Sequence, residues 1–155
     1  MRCDDEQCVQ DWVLPGHADP EPLIRGVPDI GDLLGLRYVP YGRDPMKGLS
    51  CMGLVMEIYR RAGIAMADPA RDHEGAAVEW DEITLEEPWP VLAVLGIRAM
   101  NSDMVGHVAV YLGGGLAIHS VPKRGVEVVS VNRLPRPVIA VYRYRKPKDA
   151  ANNGA

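Results

Sequence analysis

Residues 50–63 read Ser-Cys-Met-Gly-Leu-Val-Met-Glu-Ile-Tyr-Arg-Arg-Ala-Gly, and this stretch predicts the clearest helix of the chain. Apolar residues recur there at helical spacing and form one stripe that can face a core: Leu54, Val55, Ile58, Tyr59 and Ala62. Ser50 is a suitable N-cap, and Gly63 follows the last turn, where glycine commonly ends a helix. The pattern therefore predicts a helix with Cys51 in its first turn.

The position of Cys51 is one at which a thiol can be activated. A thiol acts as a nucleophile only as the thiolate, and the free N–H groups and positive dipole end of a helix N-terminus favour that anion. The competing interpretation is a small buried apolar residue, which is a common role for cysteine in helices. Position alone leaves both open.

Two histidines in the second half of the chain favour the catalytic interpretation. His107 begins one predicted strand and His119 ends the next, and the connection is Gly113-Gly114-Gly115, which predicts a hairpin. Because side chains alternate across a strand, a three-residue turn puts His107 and His119 on one face, either opposite or diagonal. A two-residue turn would put them on opposite faces.

Cys51, His107 and His119 together contain the parts of a nucleophile–base–orienting-residue triad. Two alternatives use the same residues. One is a Cys-His-His zinc site, and the other is a pair of structural histidines without catalysis.

The remaining patterns predict an α+β chain. Residues 1–28 contain several prolines and predict an extended leader, and 67–90 predict a long surface loop. A short helix at 30–36 and a loop at 37–45 precede the main helix. Strands are predicted at 91–97, 108–112, 116–120, 126–131 and 138–144. Helices followed by an antiparallel meander of about five strands indicate one domain at 29–146, with a flexible tail at 147–155.

Composition excludes several function classes. The chain has 155 residues and a formal net charge of -4, without a dense Lys/Arg cluster, so nucleic acid is not an expected partner. No apolar stretch is long enough to predict a membrane span, and the acidic N-terminus lacks the apolar region of a secretory signal. Cys3 and Cys8 are interpreted as surface thiols rather than zinc ligands, and an odd cysteine count argues against a disulfide scaffold.

Several blocks of residues jointly resemble the NlpC family of bacterial cell-wall peptidases. Residues 35–42 and 49–55 are similar to that family's G-x-P-Y-x-x-G-G and D-C-x-G-L-V patterns. Residues 106–113 resemble its G-H-V-x-I-Y-x-G strand, and 118–120 resemble the I-H-A that follows. The resemblance covers about residues 30–145 and implies a papain-like fold, with the nucleophile at a helix N-terminus packed on an antiparallel sheet.

The resemblance also implies an activity and site residues. The activity is hydrolysis of an amide in peptidoglycan stem peptides next to D-glutamate, without a cofactor. Cys51 would attack, His107 would act as base, and His119 would orient it. The resemblance further implies substrate contacts at four positions: Tyr38, Ser50, Met52 and Gly106. Two departures bear on substrate choice, since the family's Asp before the nucleophile is Ser50 here and its usual Ser after it is Met52.

Residues 125–143 are similar to the ends of phage-tail members of this family, which implies delivery to the wall by a virion, after synthesis in the cytoplasm. Phage-tail or secretion-system proteins are then the expected partners, beside the stem peptide. Three alternatives remain: an inactive structural tail protein, a secreted amidase toxin, and a thiol acyltransferase on the same fold.

Overall fold

The computed structural model describes residues 26–145, so most of the predicted leader, including Cys3 and Cys8, and the predicted tail lie outside the described residues. The helices are α1 (Cys51–Arg61) and α2 (His73–Ala77). The strands are β1 (Arg43–Asp44), β2 (Gly48–Leu49), β3 (Trp80–Ile83), β4 (Val94–Arg98), β5 (Val105–Gly113), β6 (Leu116–Val121), β7 (Gly125–Ser130) and β8 (Val138–Tyr144). The domain limits 29–146 stay a prediction.

The fold is α+β, as predicted, with a six-stranded antiparallel sheet in the order β3-β8-β4-β5-β6-β7. The consecutive strands β4 to β7 form the predicted meander. The last strand, β8, leaves that order and lies between β3 and β4. β1 and β2 form a separate two-stranded ribbon just before α1.

The central helix is confirmed at both ends. The Ser50 side chain accepts a hydrogen bond from the Gly53 N–H, which satisfies one of the free donors of the first turn. At the other end Gly63 has φ of 89°, the left-handed conformation that glycine adopts without a Cβ penalty. The apolar stripe of α1, including Leu54, Val55 and Ile58, is almost completely buried.

Two predictions in the first half of the chain are wrong. The long loop at 67–90 contains both α2 and β3, of which β3 pairs with β8 at the edge of the sheet. The short helix predicted at 30–36 is only a single 3-10 turn at Gly31–Leu33. The two elements that the prediction missed, α2 and β3, have five residues or fewer and are too short to show a periodicity.

The turn between β5 and β6 also differs from the predicted three-residue turn. Gly113 pairs with Leu116, so the turn has two residues, Gly114 and Gly115, both with positive φ. A register shift at Leu112 adds one residue to β5, since Tyr111 pairs with Ala117 while Gly113 pairs with Leu116. This bulge compensates for the shorter turn, and the two histidines keep a common face.

The sheet separates two apolar cores. α1 packs on one face, mainly against β5 and β6, and the core there includes residues of four strands, namely Val94, Val110, Ile118 and Val126. The other face carries a second core that includes Leu95, Ala109, Ala117 and Val141, with Trp89 and Tyr111 packed edge to face beside it. In the described part of the chain, no helix has the length and apolar character needed to cross a membrane.

Gly53 is a position at which the fold can be tested. A Cβ at Gly53 would lie 1.9 Å from the Gly42 carbonyl oxygen, so the first turn of α1 and the preceding loop can approach only without a side chain. We expect Gly53→Ala to lower the free energy of unfolding by about 1–3 kcal/mol through overpacking. Urea denaturation measures the effect. Gly31→Ala is the control, because its Cβ would meet nothing nearer than 3.9 Å. Equal stability of the two variants would contradict the close approach.

Candidate active site

The structure joins His107 and His119 directly. The Nε2 atom of His107 lies 2.9 Å from the Nδ1 atom of His119, and the ring centroids are 5.0 Å apart. The β5–β6 register makes them a diagonal pair on one face of the sheet, one of the two arrangements that the sequence predicts. His119 is buried, with 1% of its surface exposed, whereas His107 is partly accessible.

Burial changes the proton affinity of His107. Its pKa falls from the usual 6.5 to about 4, first because burial disfavours the imidazolium, then because His119 and Arg136 lie near. The ring is therefore neutral at physiological pH and able to accept a proton. This is the state that a general base requires.

Cys51 is the first residue of α1 and is partly accessible. Its environment includes Tyr38, whose pKa is raised by burial, then by the charge that Cys51 carries as a thiolate, and then by Tyr41. Tyr38 thus lies near the thiol as a neutral phenol, which can donate a hydrogen bond. Its role in substrate or oxyanion binding stays a prediction.

The helix N-terminus lies against the end of the sheet that carries the histidines. Ser120, the residue after His119, donates a hydrogen bond of 2.7 Å to the Leu49 carbonyl, two residues before Cys51. Strand alternation gives His107 and His119 the same face as Ala109 and Ala117, on the side of the second core. Among the described residues, no hydrogen bond joins the Cys51 thiol to the His107 ring. The structure thus joins the two histidines to each other and holds the start of α1, which carries Cys51, at their end of the sheet.

Ser50 is fully engaged by the protein. Besides its bond from Gly53, its hydroxyl accepts one of 2.9 Å from Arg43, and only 6% of the residue is exposed. The Arg43 guanidinium is in turn held by both carboxylate oxygens of Asp68, at 2.8 and 3.0 Å. This ion pair lowers the pKa of Asp68 and compensates the positive charge of Arg43 next to Ser50. A substrate contact through Ser50 stays a prediction.

The other two predicted binding residues have local structural reasons. Met52 is partly buried and packs against the core under α1. Gly106 lies where a Cβ would come 2.6 Å from that of Ala99, so glycine lets β5 pass close to the residue after β4. Their contact with substrate stays a prediction as well.

Glu127 is a neighbour of the histidine pair that the sequence prediction missed. It is directly opposite His119 in the β6–β7 register, and its Oε2 lies 2.9 Å from the Nε2 of His119. Arg124 donates to both oxygens of the same carboxylate, at 2.9 and 3.0 Å. The pKa of Glu127 falls to about 2, first through the bond with Arg124, against the opposing effect of burial, and also through His119. The hairpin arithmetic used for His107 and His119 could have found this contact.

The geometry of the described residues bears on the alternative of a zinc site. Within residues 26–145, no three His, Cys, Asp or Glu side chains are arranged to hold a metal ion. The carboxylate of Glu127 lies at one ring nitrogen of His119, and the ring of His107 lies at the other. Neither nitrogen of His119 is therefore free to bind a metal.

Solved structures with the same fold are bacterial and protozoan proteins. An NlpC/P60 family protein from Bacillus cereus is 26% identical, with a TM-score of 0.58, over 76% of this chain and 41% of that one. NlpC1 from Trichomonas vaginalis is 26% identical, with a TM-score of 0.59, over 74% and 41%. The NlpC/p60 domain of the peptidoglycan hydrolase SagA shares the fold at 23% identity and a TM-score of 0.56, over 73% and 91%.

The chain spans about two-fifths of the length of several of these proteins, including the one from Bacillus cereus. No curated protein matches the sequence significantly. The family model described as NlpC/P60 family matches residues 35–135, which include Cys51, both histidines and Glu127. This chain therefore belongs to the NlpC/P60 family.

Proposed function

We propose that the protein is a cysteine peptidase that hydrolyses an amide bond in peptidoglycan stem peptides. The observations that carry the proposal are the hydrogen-bonded His107–His119 pair and a cysteine at the N-terminus of the helix whose start is held at the same end of the sheet. Membership of the NlpC/P60 family supports the substrate class, as does the shared fold of a domain named as part of a peptidoglycan hydrolase.

In the proposed reaction, His107 takes the proton of the Cys51 thiol and the thiolate attacks the amide carbonyl. The tetrahedral intermediate carries an oxyanion, to which the N–H groups of the first turn of α1 are suitable donors. The His107 imidazolium then gives its proton to the leaving amine as the C–N bond breaks. Water, activated by His107, hydrolyses the thioester and restores the thiol, so that one amide and one water yield an acid and an amine.

The position of His107 sets where nucleophile and base meet. His107 is the third residue of β5, close to the end of the sheet at which β6 finishes and α1 begins. We propose that the thiol reaches the ring around this end rather than through the core under α1. Catalytic hydrogen bonds are often long before substrate binds, so the proposed contact forms in the complex.

The finer specificity is part of the proposal. The family resemblance favours a bond next to D-glutamate. The similarity of residues 125–143 to phage-tail members favours action at the cell wall, with delivery by a virion or a secretion system. An acidic group that could receive a substrate amine is missing at position 50, where the Ser50 hydroxyl is occupied by the cap.

Digestion of purified peptidoglycan tests the activity. Wild type should release new stem-peptide fragments from either meso-diaminopimelate or lysine sacculi, read by mass spectrometry of the muropeptides. Cys51→Ala and His107→Ala should release none, because each removes a group that reacts. His73→Ala is the matched control, since this exposed histidine lies in α2, and it should retain activity. No fragments from a folded wild-type protein would favour an inactive structural module instead.

Alkylation of Cys51 across pH tests the nucleophile–base pair without a substrate. Because the pKa of His107 is lowered to about 4, the ring is unprotonated above that pH and can accept the thiol proton. We expect iodoacetamide to label Cys51 faster than Cys3 and Cys8 at pH 5–7, with the rate falling as the pH drops through about 4.

Peptide mapping by mass spectrometry separates the three cysteines, and His107→Ala should remove the difference between them. Labelling of Cys51 that rises only near pH 8.5, the usual pKa of a thiol, would contradict the pairing.

A further inference from the structure

The histidine pair is the middle of a longer chain of hydrogen bonds. From the solvent inwards it runs through Arg124, Glu127, His119 and His107, with every link between 2.9 and 3.0 Å. Three strands supply the last three members, and the pairing of β6 with β7 places Glu127 opposite His119. The order of the links matters because each hydrogen bond limits which atom of the next residue can carry a proton.

The protons along this chain follow from the chemistry of Glu127. An ionised carboxylate only accepts hydrogen bonds, so the Nε2 of His119 must carry a proton. In a neutral His119 the Nδ1 atom is then bare and accepts from the Nε2–H of His107. A neutral His107 with its proton on Nε2 has a bare Nδ1. That nitrogen is the one left free to take a proton from a thiol.

We propose that Glu127, held by Arg124, is a positioning residue that fixes the proton-accepting tautomer of His107 through His119. The inference rests on the proposed function, because it assigns His107 the role of base. It adds a carboxylate and an arginine to the site, neither of which touches the substrate.

Charge gives Glu127 a second effect on the same step. When His107 becomes an imidazolium, its Nε2–H still donates to His119, and the Glu127 carboxylate lies at the far end of that ring. A negative charge near a forming cation stabilises it, and more strongly where His119 excludes water. Arg124 partly offsets this charge, but 65% of its side chain is exposed, so solvent screens its contribution.

A purely structural role for this ion pair would be small. Arg124 and Glu127 lie three residues apart at a hairpin, and the arginine is exposed, so solvent screens the pair and it adds little to stability. The contact between Glu127 and His119 differs, because it orients a buried imidazole ring. Only 1% of the surface of His119 is exposed. Removing the carboxylate should therefore change the tautomers more than the stability.

Glu127→Gln tests the inference with little change in size. Its amide can present either an oxygen or an NH₂ group to His119, so both tautomers become accessible. We expect iodoacetamide labelling of Cys51 at pH 6 to fall about 10- to 100-fold, by analogy with the loss of an outer hydrogen-bond partner of a metal-binding histidine. Glu82→Gln, an exposed carboxylate on β3, is the matched control and should label like wild type.

Nitrogen-15 NMR of the imidazole rings supplies the readout that a structural role would not move. In wild type the protonated nitrogens should be the Nε2 atoms of His107 and His119, and in Glu127→Gln each ring should show a mixture.

Arg124→Lys should restore part of the labelling rate lost in Arg124→Ala, because a lysine can still hold the carboxylate. Thermal unfolding by circular dichroism identifies variants that fail to fold. If Glu127→Gln or Arg124→Ala is one of them, the NMR comparison is made with Arg124→Lys instead.

The outcomes separate this inference from the proposed function. An unchanged labelling rate and unchanged tautomers in folded Glu127→Gln would overturn the positioning role, whatever the substrate. Loss of labelling and tautomer order, in a protein that cleaves no peptidoglycan, would support the positioning role and reject the proposed substrate.

Discussion

The register between β5 and β6 is the constraint on which the site depends. A β-strand turns successive side chains to opposite faces, so one residue of slip would separate His107 from His119 by the thickness of the sheet. The two-residue turn at Gly114-Gly115 alone would cause that slip, and the bulge at Leu112 reverses it. Both features are needed, because the hydrogen bond of 2.9 Å between the rings exists only in the combined register.

The same register fixes what lies around the histidines. Ala109 and Ala117 share their face, and small side chains there leave room for two rings. The alternate residues Val108, Val110 and Ile118 point into the core under α1 and hold the helix on the sheet. Ser120, also on this alternate set, binds the Leu49 carbonyl and so sets where α1 begins. One choice of register thus positions His107, His119 and the helix that carries Cys51.

The sequence predicts the parts of the fold whose signal is local. The helix at Cys51–Arg61 has its period, cap and terminal glycine within fourteen residues, and the structure confirms all three. The common face of the two histidines was predicted from a three-residue turn, whereas the structure reaches it through a two-residue turn and a bulge at Leu112 that no local pattern indicates. The placement of β8 beside β3 is different, because its partners lie about sixty residues away and no local pattern indicates them.

Glu127 shows a different kind of limit. Its strand was predicted, and counting back across the Pro122–Arg124 turn puts it opposite His119. No pattern in the sequence marks this contact, because a carboxylate on a strand is usually solvated. The informative sign was that a buried histidine has two nitrogens to satisfy, and His107 accounts for only one of them.

The change from the family's Asp to Ser50 also has an electrostatic consequence that favours a thiolate. A carboxylate directly before Cys51 would oppose a second negative charge at the helix N-terminus. Ser50 keeps the capping bond to Gly53 without that charge, and Arg43 beside it is neutralised by Asp68. The dipole of α1 then acts on the thiol without opposition from position 50. In the proposed mechanism, negative charge lies instead at Glu127, beyond His119, where it stabilises a His107 imidazolium rather than opposing a thiolate. On electrostatic grounds, Ser50 is thus compatible with the proposed catalysis.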